Sequence, residues 1–143
     1  MFKKLCCTSP ECRAKMACVG KLLIRIALAV IFIPAGWYKL NNLEAVNGFM
    51  QAQFGLPMLG TLVGLVEFVG GLFVLVGYQT FAAALLLTVV MAVATLKVHF
   101  VQGWEGMKLT TILGLVSLGI AFIGAGRYSV AKCLCKGKTC SDC

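Results

Sequence analysis

The chain has 143 residues, 60% of them hydrophobic, and a mean hydropathy of +0.94. No water-soluble domain of this size can hide so much apolar surface, which excludes a soluble enzyme and points to an all-α integral membrane protein. The net charge of +8 indicates anionic lipid rather than nucleic acid as the partner, because the basic residues lie against the ends of apolar runs.

Residues 1–21 read as a Cys/Lys-rich tail. They hold Cys6, Cys7, Cys12 and Cys18, with Lys3, Lys4, Arg13, Lys15 and Lys21 set against Glu11. Charge and cysteine stand where a cleavable signal peptide would place an apolar core, so none is expected. Four continuous apolar runs follow, at about 22–38, 59–77, 81–101 and 109–126. Each is near the roughly 20 residues that a helix needs to cross hydrocarbon. None alternates as a barrel strand would. The expectation is a four-transmembrane-helix bundle over 22–130, followed by a second Cys/Lys-rich tail over 131–143.

The first span ends at Trp37-Tyr38, an aromatic belt, with Pro34 as a kink position in its last turn. In the loop over 41–58, Leu43, Val46, Phe49 and Met50 recur at helical spacing, as in a short helix lying on the membrane surface. Gly55 and Pro57 then break it. Tyr78, Gln79 and Thr80 make a tight turn, so spans 2 and 3 form an antiparallel hairpin. Small and polar residues form stripes at helical spacing: Gly60, Gly64, Glu67 and Gly71 on span 2, Thr88, Ala92, Thr95 and His99 on span 3, and Thr110, Gly114, Ser117 and Ala121 on span 4. Such stripes let helices approach closely in lipid. They also leave room for a homo-oligomer.

Positive charge concentrates in the two tails, so the positive-inside rule puts both termini in the cytoplasm, in agreement with an even number of spans. The location expected is the bacterial inner membrane. Cytoplasmic thiols are kept reduced, which disfavours a stable disulfide framework and favours metal binding or transient redox chemistry.

Glu67 is the sharpest chemical signal. It lies about eight residues, or roughly 12 Å, into its span. An ionisable group at that depth must be paired, protonated or in water. It is a candidate proton carrier, or else a protonated acid bonded to a neighbour such as Thr95. His99, the lone histidine, is a candidate relay near the far end of span 3. Arg25, Lys39 and Thr95 are the pocket candidates; Arg25 and Lys39 stand at opposite ends of span 1, and each is also a candidate headgroup anchor. In the C-tail, Cys133-x-Cys135-x4-Cys140-x2-Cys143 closes on a C-x-x-C spacing that suits zinc, Cu(I), an iron–sulfur cluster or a redox dithiol. The N-tail cysteines match no standard finger. A C-x-x-C-H haem attachment sequence is lacking.

Several segments, in order, resemble the DoxX family of small four-span membrane proteins. Arg25-Ile26-Ala27-Leu28 through Ala35-Gly36-Trp37-Tyr38-Lys39-Leu40 is similar to its first helix, and Phe54-Gly55-Leu56-Pro57 to its loop. Glu67-Phe68-Val69-Gly70-Gly71 through Val76-Gly77 is similar to its second helix, His99 falls where its third helix carries histidine, and Gly124-Ala125-Gly126-Arg127-Tyr128-Ser129 resembles its closing motif. The cysteine tails are not part of the pattern. The resemblance implies a protein linked to oxidoreductases, with some relatives tied to quinones and others to redox or metal stress.

Three functions follow. The first is a redox component, in which cytoplasmic thiols or a thiolate-bound metal exchange electrons with a partner oxidoreductase or a quinone bound near Glu67 and His99. The second is a protein that binds, passes or resists soft ions such as copper. The third is an assembly scaffold.

Overall fold

The computed structural model describes residues 10–56, 58–99, 103–126 and 128–130. The described residues are helical, with no strand among them. Helix α1 (Pro10–Asn41) is followed by α2 (Leu43–Phe54), α3 (Leu59–Val76), α4 (Thr80–Val93), a π-helical segment (Ala94–His99) and α5 (Trp104–Ile123). Among the described residues four helices are long and apolar enough to cross a membrane: Lys15–Asn41, Leu59–Val76, Thr80–Val98 and Trp104–Ile123. The expected four-helix membrane bundle is therefore present. Residues 10–21, in the expected tail, form the first turns of α1. At about 1.5 Å per residue, this 32-residue helix is about 48 Å long and outreaches the hydrocarbon core.

Glycine sets the main helix pairing. α1 packs chiefly on α3, and α4 on α5. A Cβ on Gly36 would lie 2.8 Å from the Gly64 carbonyl oxygen, and one on Gly64 would lie 3.0 Å from Cβ of Lys39. The two backbones thus meet at a spacing that side chains would forbid. The stripe expected on the second span is the buried face of α3: Gly60, Gly64, Glu67 and Gly71 all lie within the bundle. The stripe on the last span is largely inside as well, with Gly114, Ser117 and Ala121 buried and Thr110 half-buried. On α4 the expectation holds in part. Thr88 and Thr95 are half-buried and reach α5 at the Gly114 carbonyl and the Thr110 hydroxyl, whereas Ala92 is exposed. The fully buried face beside them is Thr80, Ala83, Ala84, Leu87 and Met91, whose larger apolar members fill the core with Phe32, Val74 and Ile120.

The turn between α3 and α4 is built from left-handed residues, Gly77 at φ 77° and Gln79 at φ 46°. Helix α2 forms where the spacing predicts it and ends on Gly55 at φ 71°, whose N–H donates to the Gln51 carbonyl. The antiparallel order gives the bundle two distinct ends. One end gathers the early turns of α1, the last turns of α3 and the segment after α5. The other gathers the last turns of α1, all of α2, the start of α3 and the π-helical segment.

Candidate functional site

At this second end Lys39 forms an ion pair with Glu67. Glu67 is 2% exposed, and Lys39 is 25% exposed. The glycine contact described above makes the pair possible, since it draws Lys39 of α1 against α3 one turn from Glu67. An unpaired carboxylate at this depth is costly, and the ammonium supplies both the countercharge and a donor. Two expectations change. Glu67 bonds Lys39, not Thr95, and Lys39 reaches inward to a carboxylate rather than outward to headgroups. Thr95 instead donates to the Met91 carbonyl at 2.8 Å and meets the Thr110 hydroxyl at 2.8 Å.

The ion pair lies in the wall of a cavity of about 610 Å³. Val63, Val90, Met91 and Val98 line it from the bundle, and Phe49 and Phe54 from α2. Among the described residues Lys39 and Glu67 are the only charged ones in the lining, which also includes Tyr38 and Thr110. This is the composition of a small-molecule site, a mostly apolar space with a few convergent polar groups. Lys39 uses one of its three N–H donors on Glu67 and has no other hydrogen bond among the described residues. The space thus offers an unengaged donor beside an acceptor.

His99 closes the π-helical segment whose Ala94 and Val98 line this cavity. π-Helical turns occur often at functional sites. The His99 side chain lies outside the described residues.

Arg25 does not line the cavity. It is 1% exposed, at the opposite end of the bundle. Its Nε donates to the Val74 carbonyl at 2.7 Å, and Nη2 to the Leu75 carbonyl at 2.5 Å. Its Nη1 donates to the carbonyls of Ala125 at 2.8 Å and Tyr128 at 2.6 Å. The last carbonyls of a helix lack intrahelical donors and carry partial negative charge. Arg25 thereby ties α1 to the end of α3 and to the segment after α5 with a buried cation and, among the described residues, no carboxylate partner. Gly77 makes room, because a Cβ there would lie 2.5 Å from Nη2. The Gly-x-Gly-x-Tyr-Ser segment after α5 is thus a carbonyl acceptor set for Arg25, a role that the sequence did not announce. Neither the ligand-pocket role nor the headgroup role holds for this residue.

Cys18 is 3% exposed and disulfide-bonded, contrary to the expectation that the thiols stay reduced. Cys12 lies in the first turn of α1. The side chain of Cys12, and all of Cys6, Cys7, Cys133, Cys135, Cys140 and Cys143, lie outside the described residues. Among the described residues no group of three or more His, Cys, Asp or Glu side chains is placed to hold a metal ion. Cys18 and Lys39 are 21 residues apart on one helix, about 31 Å at 1.5 Å per residue. Direct contact between Cys18 and a ligand in the cavity is excluded by that separation.

The DoxX family model matches residues 20–100. "Inner membrane protein YqjF" of Escherichia coli (strain K12) is 35% identical over 128 residues, which cover 85% of this chain and 97% of that protein. "Putative oxidoreductase CatD" of Bacillus subtilis (strain 168) is 29% identical over 123 residues, covering 84% of this chain and 90% of that protein. No solved structure matches the chain.

Proposed function

This chain belongs to the DoxX family, and on that premise we propose that it is a redox-linked component of the bacterial inner membrane that binds a quinone-like amphiphile at the Lys39–Glu67 pair. The carrying observation is a buried ion pair in the wall of an otherwise apolar cavity. The names of the two relatives support the membrane and the oxidoreductase link respectively.

A quinone, when bound, supplies coupled uptake and release of electrons and protons. The chain's own residues orient the head, exclude water and move the proton. Lys39 offers a charge-assisted N–H to a carbonyl oxygen. Glu67 Oε2 takes or returns a proton through its bond to Lys39 Nζ. His99, from its place at the end of the π-helical segment, is the next proton-handling group toward the bundle end. The valine, methionine and phenylalanine side chains of the lining keep water from the head. Because the ion pair has no net charge, a neutral head is accommodated, whereas an anionic head leaves an uncompensated negative charge in the cavity. With the cysteine-bearing end of α1 about 31 Å away, electrons reach the site from a partner oxidoreductase at the Lys39 end.

The test is quenching of tryptophan fluorescence in lipid nanodiscs by a ubiquinone with a ten-carbon tail, with a fatty-acid anion of like length as competitor. Lys39→Met is expected to weaken quinone binding about tenfold or more, the worth of one hydrogen bond to a charged group. Glu67→Gln is expected to keep binding and to lose quinone-dependent turnover in membranes. Equal binding by the Lys39→Met variant, or stronger competition by the fatty-acid anion than by quinone, would count against the reading.

A further inference from the structure

Helix α2 forms one wall of the cavity, yet none of its residues is buried. Val46, Phe49, Met50 and Phe54 face the space. Both of its ends are pivots. Gly55 stands at φ 71°, and a Cβ added there would meet nothing within 4 Å. Asn42 leaves helical geometry at φ −120°, ψ 44°.

Between these pivots, one polar attachment joins α2 to α3 among the described residues. Asn47 Nδ2 donates to Thr61 Oγ1 at 2.9 Å, and the Thr61 N–H donates to Asn47 Oδ1 at 3.0 Å. Thr61 is in the first turn of α3, where N–H groups have no intrahelical acceptor. Met58, at the N-cap, makes no side-chain hydrogen bond. Asn47 therefore caps α3 from a neighbouring helix. Gly60 permits the approach, because a Cβ there would lie 2.6 Å from Asn47 Oδ1.

The geometry points to α2 as a hinged gate that admits a membrane-dissolved amphiphile sideways from the lipid, with the Asn47–Thr61 pair as its latch. This rests on the reading of the cavity given above. The gate explains why an element with no buried residue carries so much of the cavity's apolar lining: the face that closes the space must be able to leave it. The latch sits at the start of α3, so water at the membrane interface can satisfy its polar groups when α2 lifts. Opening is reversible for that reason. The cargo is a lipid-soluble molecule, since its route runs between α2 and the bilayer.

The test is stopped-flow exchange of the ten-carbon-tail ubiquinone in nanodiscs, read by tryptophan quenching. Asn47→Ala is expected to raise association and dissociation rates together by about fivefold, the size of one lost helix cap, with affinity nearly unchanged. As a second arm, Asn47→Cys with Thr61→Cys is placed in a full-length chain whose eight native cysteines are serine. Oxidation is expected to halt exchange, and a reductant to restore it. Quinone binding with wild-type rates in both arms overturns the gate and leaves the cavity reading standing. A wild-type protein that does not bind the quinone overturns both.

Discussion

Replacing Lys39 with Met leaves Glu67, at 2% exposure, as an unpaired charge inside the bundle. Removing one partner of a buried ion pair costs about 3–5 kcal/mol. Lys39 is 25% exposed and so keeps some contact outside the protein interior, which places the expected loss near the lower limit, about 3 kcal/mol. The double variant Lys39→Met with Glu67→Leu removes both charges and keeps the volume, and is expected to return to within about 1 kcal/mol of the wild type. The coupling between the two sites is then at least about 2 kcal/mol, larger by whatever Glu67→Leu costs alone. Reversible unfolding by dodecyl sulfate in mixed micelles, followed by tryptophan fluorescence, measures all four corners of the cycle. A Lys39→Met protein as stable as the wild type, or a double variant that loses the sum of the single losses, would refute the assignment of Glu67 as a buried charge held by Lys39.

Arg25→Lys keeps the charge and loses the fork that reaches four carbonyls. A loss of about 3 kcal/mol or more is expected, seen as a lower thermal midpoint in detergent. Gly36→Ala forces a Cβ to within 2.8 Å of the Gly64 carbonyl oxygen, and is expected to cost about 1–3 kcal/mol by overpacking the α1–α3 contact. Gly20→Ala serves as its control. Nothing lies within 4 Å of a Cβ added at that position, and alanine is expected to stabilise α1 by up to about 1 kcal/mol through helix propensity.

The spans, the hairpin turn and the helix over the first loop were legible because each rests on composition or on spacing along a single element. The buried face of α3 was legible for the same reason. The ion pair was not, because it depends on how α1 and α3 slide past one another. Lys39 sits at the aromatic belt and Glu67 a few turns into the next span, and their register is set by contacts between the two helices, the close approach of Gly36 and Gly64 foremost. A usable signal was present all the same: a deep carboxylate needs a cation, and Lys39 lies on the neighbouring span at the same end. Arg25 misled in the opposite direction. A cation near a helix end suggests headgroups, but its acceptors are backbone carbonyls, which look alike in every sequence. On α4, the threonines of the stripe meet α5, while the fully buried positions go to Leu87 and Met91, since filling the core asks for larger apolar side chains.

Arg25 also sets a condition on how the molecule is made. Its acceptors follow it by 49 and 50 residues on α3 and by 100 and 103 residues after α5. Until α3 and the segment after α5 have been made, the guanidinium lacks these acceptors. A polypeptide that stops short of residue 125 keeps Val74 and Leu75 but loses the carbonyls of Ala125 and Tyr128.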